Sequence, residues 1–153
     1  MEKKIAIVTG GSSGIGRATA AALAQAGCLV YEFSRREIPQ EGVRHLSVDV
    51  TREEAVQAAV NQILSQQGRI DIVVNCAGFG ISGAVEFTEP EAAKGQFDVN
   101  FFGCVTVNRA VLPILRRQGG GRILLISSVA ASAHIPFQAY YSASKAALES
   151  YAC

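Results

Sequence analysis

The chain has 153 residues, with 14 Lys+Arg against 13 Asp+Glu and a formal net charge of +1. That near-balance argues against a nucleic-acid or membrane-surface protein, which needs a basic excess to meet phosphates. Apolar residues at 49% against 18% charged residues exclude a disordered chain.

At this length one domain can bury about 70% of the surface its unfolded chain exposes, so a real core is expected over residues 1–153. The longest apolar runs, at residues 72–74 and 123–126, fall far short of the roughly 20 residues of a membrane span. The apolar stretch 5–8 is likewise too short for the core of a signal peptide. Cys28, Cys76, Cys104 and Cys153 show no paired spacing and read as small buried hydrophobes in a reducing compartment. The expectation is a soluble, cytoplasmic, single-domain protein.

Short β-branched runs alternate with segments of helical period. Residues 4–9 form the first predicted strand, continuous in apolar character as a strand buried on both faces should be. Ile15, Ala18, Thr19, Ala22, Leu23 and Ala26 then recur at helical spacing up to Gly27. Residues 29–33 are the second strand, and 44–48 are a short third. Thr51-Arg52-Glu53-Glu54 has the form of a capping box opening a helix that carries Val56, Ala59, Val60 and Ile63 and closes at Gly68. Residues 70–74 make strand four. After a glycine-rich loop, a helical stretch runs from 92 to 117, which Pro113 is expected to kink or divide. Residues 122–127 are strand five, and 139–151 form an alanine-rich helix. This alternation predicts βαβ units in a doubly wound parallel sheet of about five strands. The usual dinucleotide-binding form has six strands, and the last helix stops at Cys153 without a cap or a following strand, so the last strands read as missing.

Thr9-Gly10-Gly11-Ser12-Ser13-Gly14-Ile15-Gly16 lies between the first strand and the first helix. Glycines there let the backbone turn sharply and let a pyrophosphate approach the positive end of the helix; a plain glycine-rich turn is the other reading. At the tip of strand two stands Ser34, followed by Arg35 and Arg36, with Glu32 inside the strand. A guanidinium fork suits a 2′-phosphate and a carboxylate would repel it, which favours NADP and leaves NAD as the alternative. A solvated basic turn is the unspecialised reading of the same pair. Asn75-Cys76-Ala77-Gly78 closes strand four at the carboxyl edge, where ligands bind in such sheets. Asn100 is an unusual residue for a helix interior. Tyr141 and Lys145 are four apart, on one helix face, and Ser128 follows strand five. A nearby ammonium favours phenolate over phenol, which suits a tyrosine to acid–base work near neutral pH.

Taken together these residues resemble the short-chain dehydrogenase/reductase family, in the branch whose glycine motif is Thr-Gly-x-x-x-Gly-x-Gly. The resemblance runs through the whole chain and implies a Rossmann-type sheet of order 3-2-1-4-5. It implies that Thr9, Gly10, Ser12, Ser13, Gly14, Ile15 and Gly16 form the cofactor loop, with Ser34, Arg35 and Arg36 at the ribose. Asp49 and Val50 would meet the adenine. Asn75, Ala77 and Gly78 match the family's Asn-Asn-Ala-Gly, from which the chain departs at Cys76. Asn100, Ser128, Tyr141 and Lys145 match its catalytic tetrad, and the thirteen-residue spacing selects Ser128 over Ser127 and Tyr141 over Tyr140.

The implied activity is hydride transfer between NADP(H) and a carbonyl or secondary alcohol. Tyr141 would be the general acid or base, Ser128 the hydroxyl that holds the reacting oxygen, and Lys145 the group on the nicotinamide ribose. Asn100 would hold a water that links Lys145 to solvent. Phe79, Ile81, Val85, Phe87 and the loop 134–137 are similar to relatives acting on apolar alcohols and ketones, while a plain packing role accounts for them equally well. His134 has no companion ligand and reads as a loop residue, so no metal site is expected. Relatives pair through two long helices, here 92–117 and 139–153, so a homo-oligomer is expected of a longer form. Two other readings compete with the enzyme: a cofactor-binding module without turnover, such as a redox sensor, and an interaction protein that keeps only the fold.

Overall fold

The computed structural model describes residues 3–152. Five parallel strands run in the order β3-β2-β1-β4-β5: β1 (Ile5–Thr9), β2 (Leu29–Ser34), β3 (Val43–Ser47), β4 (Ile72–Asn75) and β5 (Arg122–Leu125). Five α-helices flank them: α1 (Gly14–Gln25), α2 (Glu53–Gln67), α3 (Pro90–Phe97), α4 (Gly103–Arg117) and α5 (Ala139–Tyr151). The predicted sheet order is the observed one, and the strand bounds differ by one or two residues.

The central strand shows why the sheet is apolar on both faces. Ile5 and Ile7 of β1 join Tyr31, Phe33 and Val73 in a cluster closed by Val56, Val60 and Ile63 of α2 and Val107 and Val111 of α4. The alternate residues Ala6 and Val8 join Val30 and Val74 in a second cluster, covered by Ala20, Leu23 and Ala24 of α1. Successive side chains on a strand point to opposite faces, so a strand between two helical layers must be apolar throughout.

Asp71 fastens the middle of this sheet. Its Oδ2 accepts the Ile5 N–H at 2.8 Å, and the Arg69 guanidinium reaches Oδ1 at 2.6 Å. Burial pushes this carboxyl up, but the Arg69 bonds and the Ile5 amide outweigh it and hold it below the ordinary 3.8. A group with a lowered folded pKa stabilises above its unfolded value and loses that contribution as pH falls through the folded one. Asp71→Ala is therefore expected to cost about 1–3 kcal/mol at neutral pH, a difference that shrinks once the pH drops below 3.8. Urea melts of both proteins across that range check it.

Two local expectations change. Thr51 does not cap α2: Arg52 holds the N-cap position without a side-chain bond. The Thr51 hydroxyl donates instead to Asp49 Oδ1 at 2.7 Å, so it is spent on the strand-end turn and not on the helix. Pro113 does not divide the long helix, because α4 runs through it from Gly103 to Arg117, with Val111, Ile114 and Leu115 buried around it. The break comes earlier, at a π-helical turn spanning Asp98–Phe102 between α3 and α4. Such wide single turns occur often at functional sites.

Candidate active site

The glycine loop is shaped by contacts that no side chain could share. Gly10 has φ +67°, and a Cβ there would lie 2.9 Å from the Ala77 Cα. A Cβ on Gly16 would lie 2.3 Å from the Gly10 carbonyl oxygen, so the first turn of α1 presses directly on the loop. Gly14, with φ +52°, has nothing within 4 Å on the same side, which leaves that approach open. The N-cap residue Ser13 makes no side-chain bond to α1, and no acidic residue occupies the first turn. These unspent N–H donors and the positive helix end suit an anion. Thr9 stands behind the loop, 1% exposed, its Oγ1 accepting the N–H groups of Cys76 at 3.0 Å and Ala77 at 2.9 Å.

At the tip of β2, Ser34, Arg35 and Arg36 face the same cleft as Asp49, Val50 and Thr51. The Thr51 hydroxyl and N–H hold the Asp49 carboxyl below its usual range against burial, with smaller help from Arg35 and Arg52. Glu32 is indeed turned inside the strand, 2% exposed.

Across the cleft, α5 presents Tyr141 and Lys145. Lys145 is 6% exposed, its Nζ donates to the Ile126 carbonyl at 2.7 Å and lies 5.9 Å from the centre of the Tyr141 ring. Burial lowers the Lys145 pKa below its ordinary value. The same desolvation raises Cys76 and pushes Cys104 up to about 11, so both thiols stay protonated and inert at neutral pH. The chain after β4 threads between these groups. A Cβ on Gly78 would meet Asn100 Oδ1 at 3.1 Å and Lys145 Nζ at 3.6 Å, and one on Gly80 would touch the Tyr141 ring at 3.6 Å.

Asn100, carried inward by the π-helical turn, donates from Nδ2 to the Phe79 carbonyl at 2.9 Å and to Ser144 Oγ at 3.1 Å. Its Oδ1 accepts the Phe79 N–H at 2.9 Å. Gln96, fully buried and one turn earlier, donates to the same Phe79 carbonyl at 3.1 Å. Sequence reading missed Gln96; a glutamine one helical turn before an inward asparagine was the available signal. Ser128 opens a short turn over Val129–Ala131 and its Oγ accepts the Ala130 N–H at 3.2 Å, which leaves its own proton free to donate. Ser127, its neighbour, spends its hydroxyl on Glu149 Oε1 at 2.8 Å.

One cleft of ≈ 1120 Å³ connects these parts. Of the expected residues, Gly10, Ser12 to Gly16, Ser34 to Arg36, Asp49, Val50, Ala77, Gly78, Tyr141 and Lys145 line it. Thr9, Asn75 and Asn100 stand buried behind the lining, with Asn75 Nδ2 bonded to Asn108 Oδ1 at 3.0 Å. Ser128 is outside the lining, whereas Ser127 is part of it. Phe79, Val85, Phe87, Ile135 and Phe137 are exposed and apolar. The Phe137 carbonyl accepts the Gly83 N–H at 2.8 Å and joins the two loops that carry them.

A parallel sheet with a glycine loop at its switch point and a Tyr–Lys helix across the cleft is a doubly wound α/β arrangement with its cleft at the carboxyl edge. The sequence profile of the short chain dehydrogenase family matches residues 4–152, and the chain belongs to that family. Among curated relatives, the 3-ketodihydrosphingosine reductase of Bacteroides thetaiotaomicron is 46% identical over 152 residues, covering 99% of this chain and 56% of the relative. The chain thus spans about half the length of that relative. The ligand-free aldohexose dehydrogenase of Thermoplasma acidophilum superposes with a TM-score of 0.95 at 32% identity, over 98% of this chain and 59% of that one. The 3-ketoacyl-(acyl-carrier-protein) reductase of Brucella melitensis, solved with NADH, gives 0.92 at 30% identity, over 98% and 67%. Among the described residues no helix is long and apolar enough to cross a membrane.

Proposed function

We propose that the chain carries the cofactor site and acid–base group of an NADP(H)-dependent reductase acting on a ketone or secondary alcohol with an apolar body. The observation that carries this reading is the facing pair of surfaces in one cleft: the open side of Gly14 with Arg35 and Arg36 on one wall, and Tyr141 with Lys145 on the other. The cleft exceeds the roughly 300–1,000 Å³ of drug-sized sites, as an extended dinucleotide requires.

A nicotinamide dinucleotide fits this lining. The loop 10–16 and Ser13 would hold the pyrophosphate, and Ser34, Arg35 and Arg36 the ribose and its 2′-phosphate. Asp49 and Val50 would meet the adenine, and Asn75, Ala77 and Gly78 would support the nicotinamide half. Once bound, the dinucleotide supplies or accepts the hydride. The chain's own work is then orientation and proton movement. Tyr141 gives its phenolic proton to the carbonyl oxygen, or takes one from the alcohol. Ser128, whose Oγ already accepts the Ala130 N–H, has its proton left to donate to that same oxygen. Lys145, fixed by the Ile126 carbonyl, places an ammonium beside the Tyr141 ring and would hold a hydroxyl of the nicotinamide ribose. Asn100 locks Phe79 and would hold a water that links Lys145 to solvent. The apolar side chains of Phe79, Val85, Phe87, Ile135 and Phe137 suit an apolar substrate body. The aromatic contacts Phe101–Phe102 and Phe101–Tyr151 near the α4 and α5 ends suit pairing with a second copy.

The test has two arms. NADPH at a hundred times its dissociation constant should stabilise the fold by about 2.7 kcal/mol, with a smaller response to NADH at the same concentration. Oxidation of NADPH by a panel of apolar ketones should follow Tyr141. A thermal shift without turnover would define a cofactor-binding module instead, and no shift with either nucleotide would sink the proposal.

A further inference from the structure

Inside the sheet, under the glycine loop, lies a polar cluster that the proposed chemistry does not use. Glu32 is 2% exposed, and its Oε1 is shared by His45 Nδ1 from the adjacent β3 and by Ser34 Oγ at 3.1 Å. Its Oε2 has no partner and faces Gly11, where a Cβ would lie 2.9 Å away. Glu32 and His45 are register partners across β2 and β3. Ser34 Oγ is at the same time 2.9 Å from the Arg36 carbonyl, so this hydroxyl joins the buried pair to the turn that carries Arg35 and Arg36.

A hydroxyl has one proton and here two acceptors. A carboxylate only accepts, so His45 Nδ1 must carry the proton between it and Glu32. With Oε1 supplied by His45, the Ser34 proton is free to close the turn on the Arg36 carbonyl. Without the imidazole donor the carboxylate would win that proton, since bonds to an ionised acceptor are roughly twice as strong as neutral ones. The Arg36 carbonyl would then lose its donor and the arginine turn its anchor.

We infer that Glu32 and His45 are positioning residues for nucleotide selectivity, which withdraw the one acidic side chain of β2 from the cleft and hold the Ser34–Arg36 turn in the form that meets a 2′-phosphate. This rests on the NADP reading above. Neither residue lines the cleft, so neither touches the nucleotide.

The experiment is a fluorescence titration of the chain with NADPH and NADH, in wild type and in His45→Leu, His45→Ala, His45→Gln and Ser34→Ala. His45→Leu should weaken NADPH by about tenfold, the scale of one hydrogen bond, and leave NADH within about twofold. His45→Gln keeps an amide donor for Glu32 and should restore most of the NADPH affinity. If His45→Leu loses its cooperative melt, His45→Ala carries the test, since it also removes the donor to Glu32 without touching the cleft lining: it should show the same NADPH-only loss. Where His45→Leu folds, the double variant with Ser34→Ala should lose no more than either single one. Parallel losses for both nucleotides, no loss, or additive losses would overturn the inference. A wild-type chain that binds NADPH no tighter than NADH would overturn the NADP reading along with it, whereas a wild-type preference that survives His45→Leu overturns the inference alone.

Discussion

If the proposed reductase function holds, Tyr141→Phe should fold, bind NADPH as wild type does, and reduce ketones about 10²- to 10⁴-fold more slowly, the usual contribution of a positioned proton donor. Only an oxygen is lost. The ring keeps its place beside Gly80 and under Lys145, and the backbone carbonyl that accepts the Ser144 hydroxyl at 2.8 Å is untouched. Steady-state rates and nucleotide titrations on the same preparation separate the outcomes. A variant of near-wild-type rate would place the acid elsewhere, and one that no longer binds nucleotide would make Tyr141 a packing residue.

Gly16→Ala should have the largest effect on both folding and nucleotide binding. Its methyl would lie 2.3 Å from the Gly10 oxygen and 2.7 Å from the Gly10 carbonyl carbon, and neither is the end of a flexible side chain. Overpacking of this kind costs about 1–3 kcal/mol and occasionally more, which corresponds to roughly 2–4 °C of melting temperature per kcal/mol in a domain of this size. The loop must shift to make room, so the NADPH-dependent rise in melting temperature should vanish as well. Gly14→Ala is the matched comparison. Its methyl meets nothing within 4 Å, and only the left-handed backbone at φ +52° resists it, a penalty of about 1–2 kcal/mol. Thermal melts with and without NADPH rank the two; equal behaviour would mean that the loop is softer than its contacts imply.

Both variants concern features that were legible in the sequence. The apolar continuity of residues 4–9, the glycines that follow and the helical spacing beyond them carry strand, turn and helix without reference to anything distant. The alternation limits the sheet to a few parallel arrangements, and the order 3-2-1-4-5 among them comes from the family resemblance. What was not legible depends on one extra residue or on a distant partner. Thr51 and Glu54 have the spacing of a capping box, but the nearby Asp49 carboxylate captures the hydroxyl, and spacing alone cannot rank two acceptors. Pro113 carries the composition of a break, yet the buried apolar side chains on either side keep that helix whole. Glu32 was visible as a charge within an apolar strand. Its partner His45 lies thirteen residues away, and only the β2–β3 register brings them together. At the site, Tyr141 and Lys145 could be paired from helical spacing, whereas the direction of the Ser128 hydroxyl and the burial of Gln96 depend on the folded turns around them.

The π-helical turn at Asp98–Phe102 has a consequence for helical phase. A π turn accommodates one residue more than an α turn, and each residue of an α-helix advances the face by about 100°. The inward face runs on through this turn: Ala93 and Gln96 are buried from α3, Asn100 from the joint, and Val107, Val111 and Ile114 from α4. Gly103, just beyond, packs so tightly on Val50 that a Cβ would lie 2.6 Å from its methyl. Deleting a single residue between Gln96 and Asn100 would turn Asn100 by about 100° relative to Gln96 and away from Phe79. Within this segment an exchange at exposed Phe102 should therefore be tolerated far better than any change in length.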